Sequence, residues 1–211
     1  MQHLNRAGPL MSLFRQPLIC LFALALLCLL LHLLPSAATD WLNYQRAEPL
    51  QLWRFWTAHL LHSNFWHLAM NLAGLAVIFY LHQMHYRPKQ LLQFFLLSAA
   101  LLSAALYLFS PDIHSYVGLS GLLHALLAFG AVRDVQQRWY SGGLILLGLA
   151  AKVAYEQLVG ADPALAALID ARVAVDAHAY GSVIGVLLAF LLPNYGAQGD
   201  SAKAEKKSGS A

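Results

Sequence analysis

The chain carries little charge: Asp, Glu, Lys and Arg make up 11% of its 211 residues, whereas 59% are hydrophobic. Soluble domains have about 25% charged residues, so this chain has too little polar surface to cover a water-soluble core. Lipid is therefore the predicted solvent for much of it. It has only two cysteines, Cys20 and Cys28, and both fall in the first apolar run, which excludes a disulfide framework and a cysteine metal site.

Six apolar stretches approach the roughly 20 residues that a helix needs to cross a bilayer. Shorter ones are tolerated where helices thin the membrane locally. They predict an all-α integral membrane protein, a bundle of six transmembrane helices within residues 17–193. We expect residues 1–16 to form a cytoplasmic segment and residues 194–211, which have no apolar face, to be a disordered cytoplasmic tail. The stretches are 17–34, 65–81, 91–109, 119–132, 144–159 and 177–192.

The first stretch also has features of a signal peptide. Arg6 and Arg15 precede it, and the small residues 36–38 resemble a cleavage site. Its apolar run is longer than the roughly 7–15 residues of a signal peptide, and cleavage would leave five helices. We therefore favour a retained transmembrane helix.

Positive charge predicts the orientation of the chain. With a cytoplasmic N-terminus, inner segments hold most of the Lys and Arg residues, as membrane proteins prefer. Both termini are then cytoplasmic, and the second, fourth and sixth helices run from outside to inside. The inner residues are Arg6, Arg15, Arg87, Lys89, Arg133, Arg138, Lys203, Lys206 and Lys207; the outer ones are Arg46, Arg54 and Arg172.

Polar groups within a bilayer are costly and mark function by default. In this topology several of them lie at one depth, just below the outer surface, although they come from three distant helices. Independent core residues would not be expected to agree in this way. They are His62, His67 and Asn71 in or near the second helix, Ser120 and His124 of the fourth, and His178 of the sixth.

Ser120 has the features of a nucleophile. It lies in a Gly-x-Ser-Gly turn, Gly118 to Gly121, that leads into a helix, where free backbone N–H groups suit an oxyanion. A serine hydroxyl needs a base to take its proton. His178 is the candidate base, because it stands at the outer mouth of the sixth helix.

Small residues predict how the two side chains meet. Gly181 and Gly185 share one helix face, a spacing that lets transmembrane backbones approach closely. The sixth helix can then pack against Gly121 of the fourth and bring His178 to Ser120. These glycines also have a simpler role in packing helices, and the two roles are compatible.

His67 and Asn71 are four residues apart and share a helical face. An imidazole N–H and an amide NH₂ on that face would be two donors for an oxyanion, each worth about 3 kcal/mol. A local hydrogen bond to a neighbouring loop is the alternative role for His67.

Four short motifs follow one another along the chain: Trp53 and Arg54, then His62, His67 and Asn71, then Gly118, Ser120 and Gly121, then His178, Gly181 and Gly185. With these motifs the chain resembles the rhomboid family of intramembrane serine proteases. The resemblance covers residues 17–193, with the motifs in family order on the second, fourth and sixth helices. Among rhomboids it is most similar to the rhombosortases, on the segments 116–124 and 152–160.

The resemblance implies a Ser120–His178 dyad that needs no acid and no cofactor. The oxyanion would be held by His67, Asn71 and the Ser120 N–H, with His62 as a supporting residue and Trp53 and Arg54 shaping the outer loop. It also implies a protein of the bacterial inner membrane with its site toward the periplasm. The substrates would be exported proteins with a C-terminal transmembrane anchor of the GlyGly type, cleaved at a small residue, Gly or Ala. Membrane lipids are the other expected partners.

Two positions leave questions open. Many rhomboids have a tyrosine that stacks on the catalytic imidazole where this chain has His124, which could orient His178 by hydrogen bonding or merely fill space. Asp176 is unsuited as a third catalytic member, because side chains two residues apart diverge on a helix. Lys152 and Glu156, four apart, are interpreted as a mutually satisfied structural pair.

Other classes of protein fit less well. A zinc protease would need His-Glu-x-x-His, and no glutamate accompanies His59, His62 and His67, so we predict no metal site. A general rhomboid with other transmembrane substrates and a non-catalytic helix-binding rhomboid remain alternatives. No segment has the character of a nucleic-acid-binding surface, and oligomeric state is not predicted.

Overall fold

The computed structural model describes residues 9–193, with side chains from residue 17 onward, and these residues are mostly helical. Residues 1–8 and the predicted tail, 194–211, lie outside the described residues. Short 3₁₀ turns follow α3 and α4, at Ala58–Leu60 and Gln83–His85. The α-helices are α1 (Pro9–His32), α2 (Ser36–Leu42), α3 (Arg54–Thr57), α4 (Phe65–His82), α5 (Pro88–Phe109), α6 (Ser120–Gln136), α7 (Tyr140–Val159), α8 (Pro163–Ile169) and α9 (Val175–Leu191).

The six predicted apolar stretches correspond to the six longer helices, α1, α4, α5, α6, α7 and α9. Their ends differ from the prediction by a few residues, except that α1 already begins at Pro9. Within residues 9–193, three helices are long and apolar enough, by length and composition, to cross a membrane: α4 with its following turn, α5 and α7. The apolar part of α1, Pro17–His32, and α9 are shorter apolar helices. The helical membrane class is therefore supported, and the count of six spans stays a prediction.

A two-stranded antiparallel ribbon joins two of the connections between helices. Strand β1 (Tyr44–Gln45) pairs with β2 (Ser115–Tyr116), Tyr44 opposite Tyr116. In addition, the Asn64 amide, just before α4, donates a hydrogen bond to the carbonyl of Leu168 in α8 (2.9 Å). The connections after α1, α5 and α7 thus meet at one end of the bundle, the end at which α4, α6 and α9 begin.

Helix α6 lies in the middle of the bundle and packs against α4, α5, α7 and α9. Most of its residues are buried, on every face, including Leu122, Ala125, Ala128 and Phe129. Because protein rather than lipid surrounds it, α6 does not need the long uniform apolar run of a lipid-facing helix. This position explains why its apolar stretch is among the shortest in the sequence.

Helices α6 and α9 touch backbone to backbone. A Cβ atom placed on Gly181 would collide with the carbonyl oxygen of Gly121, and one on Gly185 would collide with that of Ala125. A Cβ on Gly121 would in turn lie 3.0 Å from the carbonyl oxygen of Ala177. The predicted close packing of these two helices through small residues is confirmed. It sets the distance between the N-terminal ends of α6 and α9.

Gly185→Ala is expected to lower the stability of the folded protein, because the added methyl group forces α9 away from α6. Overpacking of this kind costs about 1–3 kcal/mol. Unfolding in mixed detergent micelles, followed by circular dichroism, measures the loss. Gly143→Ala in α7 is the matched control, since a Cβ there meets nothing within 4 Å; equal losses in both variants would contradict the packing explanation.

The opposite end of the bundle holds a second set of polar contacts. The Arg133 guanidinium donates to the carbonyl oxygens of Leu192 (2.7 Å) and Pro193 (3.1 Å), just beyond α9. Nearby, Asp134 contacts His85 at 2.6 Å. The Arg133 bonds satisfy carbonyl groups at the end of α9 that have no intrahelical partner. Together the two sets of contacts hold α6 against α9 and against the turn after α4.

Candidate active site

Ser120 and His178 lie in hydrogen-bonding contact. Ser120 is the first residue of α6 and His178 lies in the first turn of α9. The distance from Ser120 Oγ to His178 Nε2 is 3.0 Å, and His178 is 5% exposed. A hydroxyl at this distance from an imidazole nitrogen can pass its proton to that nitrogen as it attacks a carbonyl carbon.

The turn before α6 presents the serine. Gly118 has a φ of +131°, a conformation that side chains disfavour, and a Cβ there would lie 2.9 Å from the His67 ring. Its N–H donates to the Ala58 carbonyl (3.1 Å) and its carbonyl accepts from the Tyr116 hydroxyl (2.7 Å). Residue 118 must therefore be glycine, because of its positive φ and because a side chain would collide with the His67 ring. No side chain caps the N-terminus of α6, so the Ser120 N–H stands at the positive end of the helix.

Asn71 and His67 lie in the first two turns of α4. Asn64 caps this helix by accepting a hydrogen bond from the His67 N–H (2.9 Å). The Asn71 amide donates one N–H to the His67 carbonyl (3.0 Å), which leaves its second N–H available. Asn71, Ser120 and His178 line the same cavity, so an amide donor and the hydroxyl share one space.

Ser63 contacts His67 Nδ1 with two groups. Its backbone N–H donates to Nδ1 at 3.4 Å, and its hydroxyl oxygen lies 3.0 Å from the same nitrogen while also bonding the Ile169 carbonyl. A neutral ring that accepts the backbone N–H at Nδ1 carries its own proton on Nε2. In that tautomer His67 has an N–H on the ring nitrogen opposite Ser63.

His124 stacks on His178. The two rings are 4.1 Å apart between centroids and 10° from parallel. His124 Nδ1 donates to the Ser120 carbonyl at 2.8 Å, which holds the ring against the helix. Of the two roles considered from the sequence, hydrogen bonding to His178 is not the contact seen. The ring covers one face of the imidazole, in the place where many rhomboids have a tyrosine.

Glu156 of α7 is the site residue whose contact sequence reasoning missed. Its carboxylate Oε2 lies 2.9 Å from His178 Nδ1, and Oε1 accepts from Lys152 Nζ (2.7 Å). The ion pair predicted between Lys152 and Glu156 is present. An acidic residue inside an apolar helix is the sequence signal that points to the further partner, His178.

Asp176 has a different partner. Its carboxylate accepts a hydrogen bond from the Ser110 hydroxyl at 2.6 Å, and Ser110 follows the end of α5. This agrees with the prediction that Asp176 is not the third member of the site. Its contact ties the start of α9 to the connection between α5 and α6.

A cavity of about 670 Å³ opens between α4, α6 and α7. Ser120, His178 and Asn71 lie on its wall with His124 and Lys152. Its remaining lining is mostly aliphatic and includes Leu123, Leu127, Ile145 and Leu149. An apolar cavity of this size with a few polar groups at one place suits an apolar chain segment whose backbone is to be held there.

Trp53 and Arg54 fasten the connection between α1 and α4. The Arg54 guanidinium donates to the carbonyl oxygens of Asp40 and Asn43, each at 2.7 Å, and the Trp53 indole donates to the Trp41 carbonyl at 3.1 Å. Both residues therefore hold α2 against α3 and do not touch Ser120 directly in the described contacts. Their position fits the expected role in shaping the loop.

His62 lies beside the site, between the first 3₁₀ turn and α4. Its ring packs edge-on against His67, with centroids 5.0 Å apart. Burial lowers the pKa of the His62 imidazole to about 3, so the ring is neutral at physiological pH. His62 therefore supports the His67 ring by contact and adds no positive charge.

Donor atoms of His124, Glu156 and His178 lie within 4.8 Å of one another, a spacing that a metal site would have. An ion must lie in the plane of each imidazole that binds it. The rings of His124 and His178 are nearly parallel, so no single point lies in both planes near the nitrogens. His59, a member of the earlier metal alternative, instead contacts Ser103 Oγ at 2.9 Å.

Fold and site together define a class: a helical membrane protein in which a serine and a histidine from two helices meet beside an apolar cavity. The model of the rhomboid domain matches residues 49–195, a span that includes α4 to α9 and every site residue described above. The chain therefore belongs to the rhomboid family, a family of the intramembrane protease type. No curated protein matches the chain.

Proposed function

We propose that the chain is an intramembrane serine endopeptidase with Ser120 as nucleophile and His178 as base. The observation that carries this proposal is the 3.0 Å contact between Ser120 Oγ and His178 Nε2 on the wall of the cavity between α4, α6 and α7. A substrate helix that unwinds near its end can place a peptide carbonyl against Ser120 from this cavity.

The reaction follows from these positions. Ser120 Oγ bonds to the substrate carbonyl carbon while its proton passes to His178 Nε2. The Ser120 N–H and Asn71 hold the oxyanion, joined by His67 when its Nε2 carries a proton. His178 returns the proton to the leaving amine as the C–N bond breaks, and water then cleaves the acyl-enzyme by the same steps in reverse.

The proposed topology has six spans, both termini in the cytoplasm and the site near the periplasmic face of the bacterial inner membrane. The excess of Lys and Arg in the inner segments supports this orientation. In this orientation the end where α4, α6 and α9 begin, at which Ser120 and His178 meet, faces the periplasm.

The proposed substrates are exported proteins held by a C-terminal GlyGly-type anchor, the class that a rhombosortase would cleave. The segments 116–124 and 152–160, on which that resemblance depends, both contribute to the site, through Ser120, His124 and Glu156. A Gly or Ala at the cleaved bond fits a nucleophile enclosed between close-packed helices, because a small residue lets the substrate backbone approach.

Co-expression with two anchored reporters tests the function and the substrate class. One reporter carries a GlyGly-type tail, and the other carries a transmembrane segment without Gly-Gly. We expect release of the first reporter only, unchanged by a chelator, with the cut site identified by mass spectrometry. Cleavage of the second reporter alone would assign the chain to the general rhomboids. Release of neither, together with capture of both, would favour a helix-binding protein.

A further inference from the structure

Glu156 joins the site from a third helix. It lies near the end of α7 and reaches across to α9, with 2.9 Å between its Oε2 and His178 Nδ1. The opposite ring nitrogen, Nε2, contacts Ser120 Oγ at 3.0 Å. The imidazole therefore lies between a hydroxyl and a carboxylate, with one nitrogen directed at each.

We propose that Glu156 is a positioning residue for His178, so that the site works as a Ser120–His178–Glu156 chain rather than as a dyad. This inference rests on the proposed protease function and extends it. It also replaces the expectation from sequence that no acid takes part.

The carboxylate controls which nitrogen of His178 carries the proton. A carboxylate only accepts hydrogen bonds, so Nδ1 must be the N–H and Nε2 must present its lone pair to Ser120. That is the tautomer that a base needs. When His178 takes the serine proton, the nearby negative charge also stabilises the imidazolium, and the carboxylate itself need not be protonated.

Lys152 holds the Glu156 carboxylate by the oxygen that does not contact His178. Its Nζ donates to Glu156 Oε1 at 2.7 Å, while Oε2 is the oxygen on the imidazole. The Glu156 side chain is 13% exposed and that of Lys152 is 47% exposed. An ion pair with so exposed a cation contributes little stability by itself, so helix stabilisation is a weak explanation for placing a carboxylate here. The better explanation is that Lys152 orients the Glu156 carboxylate toward His178.

From these contacts we predict that Glu156→Gln lowers activity more than truncation of the side chain does. Lys152 has only donors and needs an acceptor, so the new amide places its oxygen toward Lys152 and its NH₂ toward His178 Nδ1. That NH₂ forces Nδ1 to accept, which moves the ring proton to Nε2 and blocks proton removal from Ser120. An isosteric change is thus expected to be more harmful than removal of the side chain.

The test measures kcat and KM of the full-length protein in proteoliposomes, with an anchored reporter that the wild type cleaves. We expect Glu156→Gln to lower kcat about 100-fold or more with KM unchanged, as for other sites held in the wrong tautomer, and Glu156→Ala to lower it about 10-fold, since water can then reach Nδ1. Lys152→Met added to Glu156→Gln frees the amide to turn its oxygen to His178, and should restore kcat about 10-fold relative to Glu156→Gln.

Gln157→Ala is the matched control, because Gln157 is the next residue on α7 and is exposed. Equal kcat in the wild type, Glu156→Gln and Glu156→Ala would overturn the positioning role, yet leave the protease function intact. The positioning role would also be overturned if Lys152→Met did not restore the kcat lost in Glu156→Gln. A change in KM alone, with kcat unaltered, would overturn it as well. Absence of cleavage by the wild type would instead contradict the proposed function itself.

Discussion

Ser120→Ala is expected to abolish cleavage without disturbing the fold. The substitution removes the only atom that can bond covalently to the substrate at this position, and the Oγ contact with His178 Nε2 disappears with it. Loss of a nucleophile of this type lowers kcat by about 10⁶-fold in serine proteases, which places the variant below detection. Anchored reporter release and labelling by a fluorophosphonate probe measure the two consequences separately.

His178→Ala should give the same loss, and the double variant should be no worse than either single one. Substitutions of residues that act as one unit have strongly non-additive effects on kcat. This pattern would therefore show that Ser120 and His178 act together and do not contribute separately. His114→Ala is the control, because His114 is an exposed histidine next to β2. Full cleavage by Ser120→Ala, with normal amounts of folded protein, would contradict the assignment of the nucleophile.

The sequence could predict the long helices and the meeting of Ser120 with His178. Apolar stretches indicate which segments can form helices within the bilayer. Because successive helices alternate in direction, the N-terminal ends of α4, α6 and α9 lie at the same end of the bundle. The α6–α9 contact was also predictable, because Gly181 and Gly185 allow an approach that any side chain would prevent. Each of these inferences uses local pattern and chain direction only.

The remaining features depend on rotation of one helix relative to another, which one sequence does not reveal. Glu156 meets His178 only because α7 turns that face toward α9, and spacing within α7 shows no more than its pairing with Lys152. The ribbon of β1 and β2 is too short to leave an alternating pattern. The contact of Ser63 with His67 is linked to a carbonyl of α8, which is far from both residues in the chain.

Asn71→Ala is expected to lower kcat by about 10²–10³-fold with little change in KM. The Asn71 amide lies on the wall of the cavity with Ser120 and has one N–H left after bonding the His67 carbonyl. A preorganised donor of this kind stabilises charge that develops only in the transition state, so its removal affects turnover rather than binding. Steady-state cleavage of the anchored reporter in proteoliposomes measures both constants.

His67→Ala is the comparison that makes this result specific to the oxyanion. Because Asn71 lines the cavity with Ser120 and His67 is not among the residues that line it, we expect a smaller loss than for Asn71→Ala. Ser63→Ala removes the hydroxyl near Nδ1 but keeps the backbone N–H that donates there, so the ring proton stays on Nε2 and kcat should be equal or higher. An unchanged kcat in Asn71→Ala would place the oxyanion donors elsewhere. A larger loss in His67→Ala than in Asn71→Ala, with unaltered unfolding, would show that His67 is the stronger oxyanion donor.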